Sequence, residues 1–194
     1  MKDQAIRRAF HQKVLRTAHT SKDSFVIDEL GLRNGQVRAD IAVVDGKMIG
    51  YEIKSQNDTL NRLPNQIIAY NEVFDNVYII TASNHLTKVI DAVPLWWGIY
   101  VINGTDAITC SFTLRRPAKP NKFRKCLGLA QLLWKNEVLE ILNDRMKCKL
   151  SNTVSKEELY DLLSGTCASA NLSKLVINYL KTREGWRKGP AELS

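Results

Sequence analysis

The 194-residue chain is 44% hydrophobic, which is enough to bury the core of one domain with an appendage or of two small domains. Four basic residues lie within the first 13 positions, and no segment approaches the ~18 consecutive apolar residues of a membrane span. This composition argues against a secretory signal and a membrane segment, so we expect a cytoplasmic protein that does not bind membranes.

The first predicted element is a helix over residues 3–18, where Ile6, Phe10 and Val14 share one face. After a turn around Gly31 and Gly35, two β-rich segments follow at residues 37–44 and 48–53. The patterns then predict a helix over 63–74, a strand over 77–81, a helix over 85–92 and a strand over 98–102. This order predicts an α/β fold with a mixed central sheet flanked by helices.

The chain beyond residue 112 shows helical patterns only. We predict helices over 127–142 and 172–180, and between them a helix that begins with a capping box of Ser155 and Glu158 and runs to Leu163. Pro117 and Pro120 interrupt regular structure ahead of these helices. Residues 113–194 are therefore predicted to be a basic linker followed by an all-helical extension.

Positive charge is concentrated in the same part of the chain. Residues 1–114 contain 12 Lys and Arg and 12 Asp and Glu, so the whole net charge of +8 lies in residues 115–194. Such a segment suits a polyanion, although a solvated linker is the alternative. Its densest cluster, the basic segment, consists of Arg115, Arg116, Lys119, Lys122, Arg124 and Lys125.

Two carboxylates and a lysine stand out in the hairpin of residues 37–53. Asp40 lies between Ala39 and Ile41, and Glu52 is flanked by apolar neighbours in the same way. Burying two carboxylates is costly unless a cation compensates, and Mg²⁺ prefers carboxylate oxygens. Lys54 leaves the same face of the strand as Glu52 and could act on a metal-bound water or a phosphate. An ordinary charged hairpin, with Asp40 paired to Arg38 and Glu52 paired to Lys54, is the alternative.

The length of the hairpin connection decides whether the two carboxylates meet. A two-residue turn at Asp45-Gly46 would direct Asp40 and Glu52 to opposite faces. A three-residue connection that includes Lys47 places Asp40 directly across from Glu52. We predict the three-residue connection.

The ordered set of residues resembles the PD-(D/E)XK, or restriction-endonuclease-like, nuclease superfamily. Asp40 and, twelve positions later, Glu52-Ile53-Lys54 match its Asp and Glu-x-Lys elements. Gln66 and Tyr70 resemble the QxxxY element of the RecB-like branch, and Glu29 matches an upstream acid. Ala39 stands where many members have Pro. The resemblance covers about residues 3–104 and implies a restriction-endonuclease-like core over residues 1–112.

The resemblance also implies roles for these residues. Asp40 and Glu52 would bind Mg²⁺ or Mn²⁺ together with the backbone carbonyl of Ile53, and Glu29 would support a second metal or a water. Lys54 would position or activate water. Gln66 and Tyr70, four residues apart on one helical face, would bond to a phosphate or to the acids, or else only pack that helix on the sheet.

We therefore expect a metal-dependent nuclease that contacts nucleic acid through Arg38, Arg62 and the basic segment. The resemblance favours DNA over RNA as the substrate, and a homodimer is compatible with the sequence. A nucleic-acid-binding protein without catalysis and an RNA-cleaving effector are the alternatives.

Cysteine and histidine spacing offers no second site. The cysteines at positions 110, 126, 148 and 167 form no CxxC pair, so we expect reduced, scattered thiols. His11, His19 and His85 have no metal-binding spacing, and we expect them at the surface or at helix caps.

Overall fold

A six-stranded mixed sheet forms the centre of the molecule in the computed structural model, which describes residues 3–104, 106, 108–147 and 149–183. The strands follow one another in chain order across the sheet. β3 pairs in parallel with β4 and β4 with β5, whereas the remaining neighbours are antiparallel. The strands are β1 (Phe25–Leu32), β2 (Val37–Val44), β3 (Met48–Lys54), β4 (Asn76–Ala82), β5 (Gly98–Asn103) and β6 (Ser111–Arg116).

Helices occupy both faces of this sheet. α1 and α2 precede the sheet, α3 and α4 form the connections between the parallel strands, and α5 to α8 follow β6 in the described part of the chain. The helices are α1 (Asp3–Lys13), α2 (Arg16–Thr20), α3 (Leu63–Val73), α4 (Leu86–Ala92), α5 (Cys126–Ala130), α6 (Lys135–Met146), α7 (Lys156–Thr166) and α8 (Ser169–Thr182).

Two buried clusters lie on opposite faces of the sheet. Successive residues of β2 alternate between them: Ile41 and Val43 join the cluster around Phe10 of α1, while Ala42 and Val44 join the larger cluster with α3 to α8. This alternation follows from the two-residue period of a strand. The sheet is therefore covered on both sides, which confirms the predicted α/β class with a mixed sheet flanked by helices.

Two strands were not predicted, and both carry charge. β1 contains Asp28 and Glu29, which interrupt its apolar pattern because Asp28 hydrogen-bonds His11 and Glu29 forms an ion pair with Arg7. β6 is an edge strand whose residues are exposed or half-buried, and Arg115 and Arg116 belong to it. Charged residues are typical of sheet edges, since they oppose pairing with a further strand.

The helix predicted over residues 127–142 is wrong as a single element. α5 ends at Ala130 and α6 begins at Lys135. The carboxylate of Glu137 accepts the backbone N–H of Trp134 at 2.6 Å at the start of α6, where the first backbone donors of a helix have no intrahelical acceptor. By contrast, the capping box of Ser155 and Glu158 at the start of α7 is confirmed.

The helices after β6 pack closely on the rest of the molecule. α5 contacts α3, and residues of α5 to α8 share one buried cluster with the sheet. The boundary predicted at residues 112 and 113 falls inside β6. The division into a nuclease-like core and a separate helical part stays a prediction, and residues 184–194 of that part lie outside the described range.

Three further expectations can be compared with the structure. No helix among the described residues is long and apolar enough to cross a membrane. The expectation that His11 lies at the surface or at a helix cap is wrong: it lies within α1, is buried, and hydrogen-bonds His19 at 2.8 Å and Asp28 at 3.0 Å. Cys110, Cys126 and Cys167 are free thiols, and Cys148 lies outside the described residues.

Candidate active site

The hairpin register brings Asp40 and Glu52 together. Val44 pairs with Met48 and Ile41 with Tyr51, so three residues connect the strands, and the same register continued by one residue puts Asp40 opposite Glu52. The predicted three-residue connection is confirmed. In β1, Glu29 lies between the paired residues Asp28 and Leu30 and is thereby opposite Asp40. The three carboxylates thus form one row across neighbouring strands.

Glu52 is held by donors on both of its oxygens. Its Oε1 accepts Lys54 Nζ at 2.7 Å and Gln66 Nε2 at 2.5 Å, and Lys54 also donates to Gln66 Oε1 at 2.9 Å. Glu52 is 1% exposed and Lys54 3%. The ammonium compensates the buried carboxylate, and the amide fixes the geometry of the pair.

Tyr70 joins the two carboxylate-bearing strands from α3. Its hydroxyl donates to Glu52 Oε2 at 2.6 Å and accepts the backbone N–H of Asp40 at 3.2 Å. The ring is fully buried against Phe74 and Trp97. Tyr70 therefore both packs α3 on the sheet and holds Glu52 and the Asp40 backbone in place.

Arg7 of α1 reaches Asp40 from outside the hairpin. Oδ2 of Asp40 accepts the backbone N–H of Ile53 at 2.7 Å, and Oδ1 accepts Arg7 Nη2 at 3.2 Å. Arg7 also forms ion pairs with Glu29 through Nη1 and with Asp3 through Nη2. One guanidinium thus bridges three carboxylates on α1, β1 and β2.

Glu29 reaches this cluster through an unusual backbone conformation. Its φ angle is 58°, a left-handed value that is uncommon for a residue other than Gly and is costly within a strand. The side chain accepts hydrogen bonds from Arg38 and Arg7. Arg33 and Asn34, in the single-turn 3₁₀ helix Arg33–Gly35, also have positive φ angles. Backbone strain is therefore concentrated beside the carboxylates.

Burial opposes ionisation of both carboxyls. Loss of hydration, reinforced by the negative charge of Glu52, raises the pKa of Asp40 to about 8, despite the hydrogen bond from Ile53. Burial also raises the pKa of Glu52, although Lys54, Tyr70 and Gln66 act in the opposite direction. Negative charge at this position is costly, and a bound cation would lower that cost.

These residues line an open pocket of about 740 Å³. Basic and acidic side chains alternate around it, and Arg62 and Asn65 at the start of α3 extend it. The carboxylates on the wall are those of Asp3, Glu29, Asp40, Glu52 and Asp58, and the cationic groups are those of Arg7, Arg33, Arg38, Lys54 and Arg62. The pocket therefore joins Asp40, Glu52, Lys54, Glu29 and Gln66 with two of the predicted contacts to nucleic acid.

The basic segment is divided between internal and exposed side chains. Arg116 donates to the backbone carbonyls of Trp97 and Pro94. Arg124 pairs with Asp75 at 2.7 Å, and Lys125 with Glu72 at 3.0 Å. The exposed members are Arg115, Lys119, Lys122 and Lys125.

Comparison with known proteins assigns the chain to a family. The family described as Bacteriophage P4 protein cII matches residues 2–187, nearly the whole length. The chain belongs to this family. Protein cII of Enterobacteria phage P4 is 27% identical over 164 residues, which are 83% of this chain and 60% of that relative. The chain thus spans about 60% of the length of the curated relative. No solved structure matches it.

The sequence did not indicate that three charged residues line the pocket, namely Asp3, Arg7 and Asp58. Asp3 and Arg7 belong to the first helix, where polar residues are expected on the solvent side, and no spacing relates them to Asp40. Asp58 follows β3 and accepts the backbone N–H of Ser55 at 2.6 Å. A charged residue beside an apolar helical stripe is a weak signal, because most such residues are solvated.

Proposed function

We propose that this chain is a metal-dependent nuclease that hydrolyses phosphodiester bonds, with DNA as the preferred substrate. The observation that carries the proposal is the alignment of Asp40 and Glu52 on neighbouring strands, on the wall of an open pocket that Lys54 also lines. The reaction would be hydrolysis by a water molecule in this pocket.

The donor set fits Mg²⁺ or Mn²⁺. Mg²⁺ takes one or two protein carboxylates and completes its octahedron with water and substrate oxygens. Asp40 and Glu52, with the carbonyl of Ile53, would hold it, and Glu29 is the acid available for a second ion. No group of three or more His, Cys, Asp or Glu side chains poised for a metal occurs in the described part of the chain. A site of this type would therefore depend on water and phosphate for its remaining ligands.

A bound Mg²⁺ polarises a phosphoryl oxygen and lowers the pKa of a coordinated water. The protein side chains then have distinct tasks. Two donors of the Lys54 ammonium bind Glu52 and Gln66, so its third can hold a water or a phosphate oxygen in the pocket. Gln66 and Tyr70 keep Glu52 oriented. Gln66 and Tyr70 are positioning residues, since Gln66 contacts Glu52 and Lys54, and Tyr70 contacts Glu52 and the backbone N–H of Asp40.

The order of elements supports the resemblance to restriction-endonuclease-like cores. An N-terminal helix, an antiparallel β1-β2-β3 unit, α3 and the parallel strand β4 succeed one another, with the chemistry on β2 and β3. We propose that residues 1–112 form such a core. The preference for DNA depends on this resemblance alone.

The path of nucleic acid is proposed to pass the mouth of the pocket. Arg38 and Arg62 are exposed on its rim, and Arg33 is half-buried beside them. Among the basic segment, Lys119 and Lys122 are exposed, whereas Arg116 and Arg124 already bind groups of the protein. Phosphate contacts are therefore expected from the rim first and from the exposed lysines second.

The test is incubation with supercoiled, linear and single-stranded DNA and with structured RNA, each with Mg²⁺, Mn²⁺ or EDTA. Asp40→Asn and Glu52→Gln should abolish cleavage and keep the fold. Asp45→Asn, which changes an exposed carboxylate in the same hairpin, is the matched control and should cut at the wild-type rate. Wild-type activity in Asp40→Asn with Mg²⁺ would exclude Asp40 as a ligand.

Two other outcomes separate the alternatives. Binding of nucleic acid without cleavage under any metal would indicate a non-catalytic binding protein. Metal-dependent cleavage confined to RNA would indicate an RNA-cleaving effector that uses the same residues.

A further inference from the structure

The guanidinium of Arg7 lies among three carboxylates at the pocket. It contacts Glu29, Asp40 and Asp3, and its side chain is 14% exposed. Glu52, the other proposed ligand, is neutralised by Lys54 from its own strand. Among the described residues, Arg7 is thus the cationic side chain that contacts Asp40.

Asp40 offers one oxygen to the pocket, and Arg7 holds it. The Oδ2 atom is occupied by the backbone N–H of Ile53 at 2.7 Å, a bond that fixes the carboxylate relative to β3. The Oδ1 atom accepts Arg7 Nη2. A divalent ion bound to Asp40 would approach this same Oδ1 and would repel the guanidinium beside it.

The contacts of Arg7 are imperfect. Its Nη2 lies 3.2 Å from Asp40 Oδ1 and 3.2 Å from Asp3 Oδ2, beyond the 2.7–2.9 Å typical of charge-assisted hydrogen bonds. Its Nε and the Oδ1 of Asp3 are buried and find no hydrogen-bond partner among the described residues. A buried polar group without a hydrogen-bond partner is costly, so these contacts hold Arg7 less firmly than a fully bonded guanidinium would be held.

We propose that Arg7 is a placeholder cation, which holds Glu29 and Asp40 in alignment until a divalent metal displaces its Nη2 from Asp40. This proposal rests on the nuclease function proposed above. Arg7 is a positioning residue that lowers the metal affinity of the pocket. The α1 helix would keep its place during the exchange, because Ile6, Ala9 and Phe10 anchor it in the buried cluster on the far face of the sheet.

The experiment compares Mn²⁺ binding to the wild type, Arg7→Gln and Arg7→Lys, without nucleic acid and in weakly alkaline buffer where carboxyl groups are ionised. Free Mn²⁺ is measured by electron paramagnetic resonance. A hydrogen bond between charged groups changes an equilibrium constant by roughly tenfold or more, so Arg7→Gln should bind Mn²⁺ on the order of tenfold more tightly than the wild type. Arg7→Lys, which retains the charge, should stay near the wild-type affinity. Arg8→Gln, on the exposed face of the same helix, is the matched control and should be unchanged.

A second measurement uses the unaltered protein and does not depend on the folding of a variant. The Nε resonance of Arg7 in ¹⁵N-arginine-labelled protein, identified by its absence in Arg7→Lys, should shift on titration with Mg²⁺. An unshifted resonance at saturating Mg²⁺ would show that the metal does not displace Arg7 from Asp40 and would overturn the proposal.

The remaining outcomes distinguish this inference from the proposed function. If the wild type cleaves DNA with Mg²⁺ but Arg7→Gln binds Mn²⁺ equally or more weakly, the nuclease stands and the placeholder role is wrong. Equal tightening in Arg7→Gln and Arg7→Lys would also overturn it, since charge would then not be the competing factor. If no variant binds Mn²⁺ and the wild type does not cleave, both proposals fail.

Discussion

The hydroxyl of Tyr70 should stabilise the protein far more than an ordinary buried phenol. Tyr70→Phe removes a single oxygen from a fully buried ring and leaves the packing against Phe74 and Trp97 intact. Two partners lose their bonds at once: Glu52 Oε2, accepting at 2.6 Å, and the backbone N–H of Asp40, donating at 3.2 Å.

The magnitude follows from these two losses. A hydrogen bond to a charged group contributes about 1.5–3 kcal/mol, and a buried donor left without a partner costs about 1–3 kcal/mol. Because neighbouring groups relax and recover part of these losses, Tyr70→Phe should lower the free energy of unfolding by about 2–4 kcal/mol. For a chain of this length, each kcal/mol lowers the melting temperature by roughly 2–4 °C, so Tyr70→Phe should melt about 5–15 °C below the wild type.

Tyr160 supplies a matched control for the measurement. Its hydroxyl is also buried, but it donates to the neutral backbone carbonyl of Leu133 at 2.8 Å. Tyr160→Phe should therefore cost about 1 kcal/mol. Urea unfolding followed by circular dichroism gives both free energies of unfolding in metal-free buffer.

Equal free energies of unfolding for the two variants would refute the reasoning. Such a result would mean that Glu52 carries no charge when Tyr70 binds it, or that water replaces the lost hydroxyl. The role of Tyr70 as a positioning residue for Glu52 would then have to be abandoned.

Three further predictions concern charge. Lys54→Ala should reduce turnover strongly with little change in DNA affinity, and equal losses of both would make Lys54 an ordinary phosphate contact. The hydrogen bond from Arg33, with a smaller contribution from Lys125, lowers the pKa of Glu72 below its usual value of 4.5, although burial acts in the opposite direction. The stability that Glu72 contributes is therefore present above pH 4.5 and is lost as pH falls through the lowered pKa. Urea unfolding should show Glu72→Gln about 1 kcal/mol less stable than the wild type at neutral pH, and this difference should shrink as pH falls through the lowered pKa of Glu72; a difference that stays constant in acid would contradict this. Joint replacement of Lys119 and Lys122 by Gln should flatten the salt dependence of DNA binding by roughly one unit per lost phosphate contact, without a change in melting temperature. An unchanged salt slope would exclude both lysines from the DNA interface.

The sequence was sufficient for the hairpin and for α3. The alternating patterns of β2 and β3, the turn residues between them and the parity of the connection together determine that Asp40 faces Glu52. The four-residue spacing of Gln66 and Tyr70 likewise puts both on one side of α3, where both bond to Glu52. These features depend on the periods of a strand and a helix within about 30 residues, and those periods can be read from the order of residues in the sequence.

The basic segment shows where composition is insufficient. Its charge was visible in the sequence, but the partners of Arg116, Arg124 and Lys125 are carbonyl, hydroxyl and carboxylate oxygens 19 to 53 positions away. Whether a cation is solvated or bound inside the fold depends on which acceptor the tertiary structure brings within reach. The same limit explains β6, whose polar residues make sense only at the edge of a sheet.

Arg7 is the clearest case of a residue that only the tertiary structure could place. Its own helix has an apolar face that includes Ile6 and Phe10, which the sequence predicted, and that face orients the helix on the sheet. Docking then carries the guanidinium to Asp40, 33 positions along the chain. Local periodicity determines which face of a helix is buried, but the charges at the end of that face meet partners chosen by the packing of the whole chain. The pairing of Asp40 with Glu52 in the hairpin could thus be predicted from the sequence alone, whereas the tertiary structure decided which cation contacts Asp40.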